Sequence, residues 1–154
     1  LRYWTIPNVA LSAVCEMSCT GGLVAHLCIT EPGSSRWLDR GAVTYSNKAK
    51  VDMLGVQEST LIDEGAVSES VVLEMARGAA EEAGVDWGIA TTGIAGPTGG
   101  SPEKPVGTVW IACVGPSGKR AKRLFLPTGS RTTTRIYSAT IALDFLRRQI
   151  LRSC

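Results

Sequence analysis

The stretch from Trp87 to Leu126 leaves this chain little choice of architecture. Trp87 to Thr91 (WGIAT) is a compact apolar run that leads straight into the glycine-rich segment TGIAGPTGG. Val106 to Val114 (VGTVWIACV) is nearly unbroken in its apolar character, as expected of a strand buried on both faces. Gly115-Pro116-Ser117-Gly118 is built from turn-forming residues, and Lys119 to Leu126 (KRAKRLFL) reads as a half-exposed strand. The last two runs are expected to pair as a hairpin, and the resulting sheet needs other elements to cover it.

The flanking segments supply that cover. Val9 to Cys15 (VALSAVC) is a strand-length apolar run that ends at SCTGG, and Gly22 to Thr30 reads as a short apolar helix stopped by Glu31-Pro32-Gly33. Arg40 to Tyr45 (RGAVTY) reads as a strand, and Ser46 to Leu54 as a helix with Ser46 or Asn47 as its cap. From Ser68, the sequence SESVVLEMARGAAEEAG puts Val71, Val72, Met75 and Ala79 on one helical face. From Ser130 to Leu151, Ile136, Ala139, Leu143, Leu146 and Ile150 recur at three- and four-residue steps. Strands mixed with helices, plus one local hairpin, predict an α/β fold: a three-layer domain around a mixed sheet. A chain of 154 residues, 44% of them hydrophobic, fits one domain over 1–154 with its own core.

Composition narrows the function. Sixteen Lys and Arg against fourteen Asp and Glu give a net charge of +2 with no extended basic tract, so nucleic acid is not an expected partner. The apolar stretches are short and interrupted, which predicts neither a membrane span nor a leader. Five cysteines, an odd number without CxxC pairs, read as free thiols in a reducing, cytoplasmic setting rather than a disulfide framework or a thiolate metal site. The single histidine, His26, lies in an apolar helical segment and reads as a core or interface residue. An enzyme built from this sequence would move protons with something other than histidine.

Three segments offer chemistry. In Ser18-Cys19-Thr20-Gly21-Gly22, a serine stands where a strand meets a helix, beside backbone N–H groups suited to an oxyanion or a phosphate. The alternative is a tight turn at Gly21 and Gly22 with Thr20 capping the helix. Cys19 ranks below the serine as a nucleophile, for want of a His or Cys partner. In Tyr45-Ser46-Asn47-Lys48-Ala49-Lys50, a partly buried Lys50 would have a lowered pKa and could act as a general base, with Tyr45 nearby. A solvated helix face is the plainer reading. In Thr91 to Gly100, the glycines at 93, 96, 99 and 100 allow close backbone approach to a ligand; the segment is neither a P-loop nor a GxGxxG motif. Arg131 and Arg135, four apart at the start of the last helix, either contact an anion or serve solubility.

Taken together, SCTGG, PGSS, RGAVTYSNKAKVDMLGV, GAVSE and TGIAGPTGGSPEKPVGTVWIA resemble the C-terminal domain of the CinA family, from about Val9 to about Ile150. The resemblance implies a three-layer α/β/α fold with a five-stranded mixed sheet. It implies nicotinamide mononucleotide deamidase activity, hydrolysing the carboxamide to nicotinate mononucleotide and ammonia. No metal and no organic cofactor are expected. Ser18 and Lys50 match the family's Ser/Lys hydrolytic pair, and Tyr45 matches its tyrosine. Thr20, Gly21, Gly22, Asn47, Thr92, Gly93, Gly96 and Arg135 are the expected substrate contacts, Arg135 for the phosphate. Two departures stand out. Met17 occupies the place of a glutamate usual before the serine, and Leu1 to Asn8 lacks the family's amphipathic first helix. A homologue without turnover, binding a nucleotide as a sensor, is the alternative reading. A homo-oligomer is expected, because a domain this small leaves apolar positions exposed.

Overall fold

The computed structural model describes residues 13–153. Its sheet is made of β1 (Ala13–Met17), β2 (Leu38–Val43), β3 (Trp87–Gly93), β4 (Thr108–Gly115) and β5 (Gly118–Phe125), in the order β2-β1-β3-β4-β5. Strand β1 runs parallel to both β2 and β3, whereas β3–β4 and β4–β5 are antiparallel. Helices complete the α/β fold that the pattern predicts.

The register decides where a site can form. Met17 pairs with Val43 on one side and Thr91 on the other, so the parallel pairings of the three strands end at one level. Ser18, Thr44 and Thr92 therefore emerge together at the carboxyl edge of the parallel strands. That edge is where open α/β sheets leave a crevice.

Each face of the sheet has its own core. On one, α1 (Leu23–Ile29) and α5 (Arg131–Leu151) pack Val24, Leu143, Leu146 and Ile150 against Ile89, Val109 and Ile111. On the other lie α2 (Asn47–Leu54), α3 (Glu58–Glu64) and α4 (Glu69–Ala83), whose Val71, Val72, Met75 and Ala79 meet Ala90 and Ala112. Successive strand residues thus alternate between the two layers. Alanine and glycine on the α4 side bring backbones into contact. A Cβ at Gly88 would lie 2.0 Å from the Ala76 carbonyl oxygen, and one at Gly78 only 1.8 Å from that of Leu54.

Several boundaries differ from the sequence reading. The first strand ends at Met17 rather than Cys15, and is described from Ala13; Val9 to Ser12, like Leu1 to Asn8, lies outside the described residues. Strand β3 continues past Thr91 because Thr92 and Gly93 still pair, with Trp110 and Val109. Helix α3 was not anticipated: it buries one side chain, Leu61, too little to mark a periodic face. In α5, Ile136 is 47% exposed, against expectation, because that end of the helix turns Thr134 and Ser138 inward. His26 is exposed on α1, which overturns the core half of its reading as a core or interface residue. Of the two expected caps it is Ser46 that caps α2, its Oγ accepting from the Ala49 N–H at 3.0 Å. The hairpin closes with Gly115 opposite Gly118.

Candidate functional site

Three connections meet at the level strand ends. The first follows β1, where the Ser18 N–H donates to the Thr91 carbonyl at 3.1 Å and so extends the strand pairing by one residue. The chain then reverses through Gly21 (φ 56°) and Gly22 (φ 91°), both in the left-handed region where side chains other than glycine are strained. The Gly21 N–H returns to the Ser18 carbonyl at 3.3 Å. Gly22, rather than Thr20, is the cap residue of α1. The Thr20 hydroxyl turns inward instead, to the Thr91 hydroxyl at 3.0 Å.

The second connection follows β2 and carries Lys50. Its Nζ lies 2.8 Å from the Thr44 carbonyl oxygen, 3.4 Å from that of Tyr45 and 3.5 Å from Ser18 Oγ. The residue is only 1% exposed. Burial pushes its amine below the ordinary lysine value of 10.5, with a weaker opposing pull from Cys19. Among the described side chains, no carboxylate pairs with it. The solvated-face reading of Lys50 therefore does not hold, whereas Lys48 is exposed and pairs with Asp52.

The third connection follows β3. Thr92 is buried, and its hydroxyl donates to the Ala66 carbonyl at 2.7 Å. Gly93 has no room for a side chain, since a Cβ there would lie 2.8 Å from the Thr108 carbonyl oxygen. Farther along, the Gly96 carbonyl accepts from Arg131 at 2.9 Å. The same guanidinium donates to the Tyr45 hydroxyl at 3.2 Å, so Arg131 joins the glycine loop to the loop before α2.

Between these connections lies a cleft of about 240 Å³. Six of the expected residues line it: Ser18, Tyr45, Asn47, Lys50, Thr92 and Gly93. The five others, Thr20, Gly21, Gly22, Gly96 and Arg135, are not part of its wall. Arg135 instead donates to the Thr20 carbonyl at 3.0 Å, bracing the serine turn from behind. One helical turn earlier, Arg131 takes the place in the cleft that the sequence reading gave to Arg135. Cys19 also lines the cleft, but burial pushes its thiol up to about 11, against a hydrogen bond with Thr91. It is a neutral thiol, not a ready nucleophile. Ala66 and Val67 complete the wall. Their only signal in the sequence was membership of the GAVSE segment.

A buried, lightly solvated amine facing a hydroxyl is an arrangement suited to nucleophilic acyl chemistry without histidine. Arg131 adds a fixed positive charge at the rim. Among the described residues, no cluster of His, Cys, Asp and Glu side chains is placed to hold a metal, and no helix is long and apolar enough to cross a membrane.

Known proteins agree with this architecture. The family model described as the CinA C-terminal domain matches residues 10–150. A CinA-like protein of Shewanella piezotolerans is 52% identical over 134 residues, covering 87% of this chain and 32% of the relative. A protein of Enterobacter agglomerans named nicotinamide-nucleotide amidohydrolase PncC is 50% identical over 141 residues, covering 90% of this chain and 85% of that one. The chain thus spans about a third of the CinA-like relative but most of the amidohydrolase. Among solved structures, the competence/damage inducible protein CihA of Agrobacterium tumefaciens superposes with a TM-score of 0.88 at 43% identity, covering 90% of this chain and 85% of its own.

Proposed function

We propose, from the premise that this chain belongs to the CinA C-terminal domain family, that it is an amidohydrolase converting nicotinamide mononucleotide to nicotinate mononucleotide and ammonia. The observation that carries this reading is Lys50 Nζ at 3.5 Å from Ser18 Oγ, inside a cleft where burial favours the neutral amine.

The hydrogen-bond inventory of a neutral amine fits its surroundings. Its two N–H groups serve the carbonyls of Thr44 and Tyr45, which leaves the lone pair for the Ser18 hydroxyl. In the proposed reaction, Lys50 takes the Ser18 proton as Oγ bonds to the carboxamide carbon, and the carbonyl electrons move onto oxygen. Donors for that oxyanion are sought in the Ser18–Gly22 turn. The N–H groups of Ser18 and Gly21 already serve the Thr91 and Ser18 carbonyls, so those of Cys19, Thr20 and Gly22 are the proposed donors. Collapse breaks the C–N bond, and the proton held by Lys50 leaves with the nitrogen as ammonia. Water then attacks the ester on Ser18 with Lys50 again taking a proton, and Ser18 regains its own as the acid departs.

Tyr45 receives a hydrogen bond from Arg131, so its own O–H proton is free to point at the departing nitrogen. Asn47, Gly93 and Arg131 are the proposed nucleotide contacts in the cleft wall, Arg131 for the phosphate. The substrate is thus a free small molecule, and the setting is taken to be cytoplasmic. Exposed Ile29, Ile62 and Phe125 are consistent with a homo-oligomer, which analytical ultracentrifugation would detect.

Ammonia release from nicotinamide mononucleotide tests the reading. Turnover should vanish in Ser18→Ala and in Lys50→Ala, and a folded wild-type protein that releases no ammonia would refute it. One residue favours a second reading, a nucleotide sensor without turnover: Met17 stands where the family usually has glutamate. Saturable binding without product would support the sensor, and ammonia release gained by Met17→Glu would identify that position as the cause.

A further inference from the structure

We infer that the Ala66–Val67 ledge is the surface on which the flat aromatic ring of the substrate lies, with Val67 as its specificity-determining side chain. The identity of the ring rests on the amidase reading above; the position of the surface rests on geometry.

The ledge belongs to the irregular link between α3 and α4, yet it is firmly held. Lys104 Nζ donates to the Glu64 carbonyl at 2.5 Å, Ser68 Oγ to that of Gly65 at 2.9 Å, and Thr92 Oγ1 to that of Ala66 at 2.7 Å. Three successive carbonyls outside any ladder are thus satisfied by side chains, which fixes the backbone that presents Ala66 and Val67. The last of these bonds also fixes the ledge relative to the serine. Thr92 adjoins Thr91, whose carbonyl accepts from the Ser18 N–H at 3.1 Å.

The wall of the cleft is chemically divided. Ser18, Tyr45, Asn47, Lys50 and Arg131 are its hydrogen-bonding residues, while Ala66 and Val67 are its aliphatic ones, Ala66 also packing against the core beside α4. Small-molecule sites usually pair such an apolar wall with a few convergent polar groups. A pyridinium ring is flat and carries positive charge, so an uncharged aliphatic surface receives it better than the Arg131 side does. With the ring on the ledge, its carboxamide is free to face Ser18.

Calorimetry on a Ser18→Ala background, where ligand is not consumed, tests this with two probes: nicotinamide mononucleotide and ribose 5-phosphate, which lacks the ring. Val67→Ser should weaken the nucleotide about five- to tenfold, the loss expected for removing one aliphatic contact. Ribose 5-phosphate affinity should not change, and Val67→Leu should hold the nucleotide within about twofold. Should Val67→Ser fail to fold, the isosteric Val67→Thr carries the same expectation at smaller size. Equal weakening of both probes would mean a merely structural role and would overturn the inference. So would an unchanged nucleotide affinity, or a parent that does not bind the nucleotide. Ammonia release is measured separately with Ser18 intact. Turnover with an unselective Val67 effect sinks the ledge alone, and a selective effect without turnover sinks the amidase reading alone.

Discussion

The amine of Lys50 lies closer to the carbonyl oxygen of Thr44, at 2.8 Å, than to the hydroxyl of Ser18, at 3.5 Å. Among the described residues, the backbone between β2 and α2, rather than an acidic side chain, is what holds this nitrogen in place. An ion pair with a carboxylate would have stabilised the charged form; carbonyl partners leave burial as the main influence on its protonation.

Replacing Lys50 should therefore separate activity from stability. Lys50→Met removes a desolvated amine but strips donors from two carbonyls, and these opposing effects should leave stability within about 2 kcal/mol of wild type. Turnover should fall by at least ~10³-fold in a continuous ammonia assay. Lys50→Arg should be equally inactive, because a guanidinium does not give up its proton. Retained turnover in either variant would rule out Lys50 as the base.

The pH dependence follows in sign from the lowered pKa. In the proposed mechanism the neutral amine is the active form, so kcat/KM should rise with pH through the folded-state pKa, below 10.5. Stability should move the same way. Between the folded-state pKa and 10.5 the unfolded chain holds the extra proton, so unfolding is disfavoured as pH climbs through that window. Denaturant titrations across this range should lose that component in Lys50→Met.

Cys19 should prove dispensable for chemistry. With its thiol pushed up to about 11 and 5% exposed, little thiolate forms near neutrality. Cys19→Ser is expected to keep kcat within about threefold, and iodoacetamide near neutral pH should leave Cys19 largely unmodified by mass spectrometry. Rapid inactivation by that reagent, protected by substrate, would argue for a thiol nucleophile instead.

The two arginines of α5 should fail differently. Arg131→Ala removes a charged donor from the cleft and releases Tyr45, so KM should rise about 10- to 100-fold, with some loss of kcat. Arg135→Ala removes one of two donors to the carbonyl of buried Thr20, the Leu23 N–H being the other, and should cost about 1 kcal/mol in thermal or denaturant unfolding, with KM little changed. Matching profiles for the two variants would contradict this division.

The same pair shows what the sequence could and could not convey. Residues four apart share a helix face, so spacing alone does not say which arginine meets the cleft and which meets the turn behind it. That depends on where the glycine loop and the SCTGG turn arrive from the sheet, a tertiary matter. Local chemistry was legible wherever it decided the outcome. Ser46 capped its helix, the Gly115–Gly118 turn closed its hairpin, and the apolar face of α4 found the sheet. Ser18 and Lys50 were visible through a family resemblance, whereas the burial of Lys50 became clear only in the fold. Ala66 and Val67 carried no chemical signal at all, since two small aliphatic residues look the same in a core, a loop or a binding wall.

Gly78 has a consequence that reaches the reacting atoms. Its missing side chain lets α4 touch the end of α2 at Leu54, one turn beyond Lys50. A methyl group there would force α2 outward and draw the amine back from Ser18, so Gly78→Ala should slow turnover without altering any residue of the cleft. Under the proposed mechanism, a single hydrogen atom on α4 thus bears on the gap between Lys50 and Ser18. Variants that retune such a gap can then be sought outside the cleft wall.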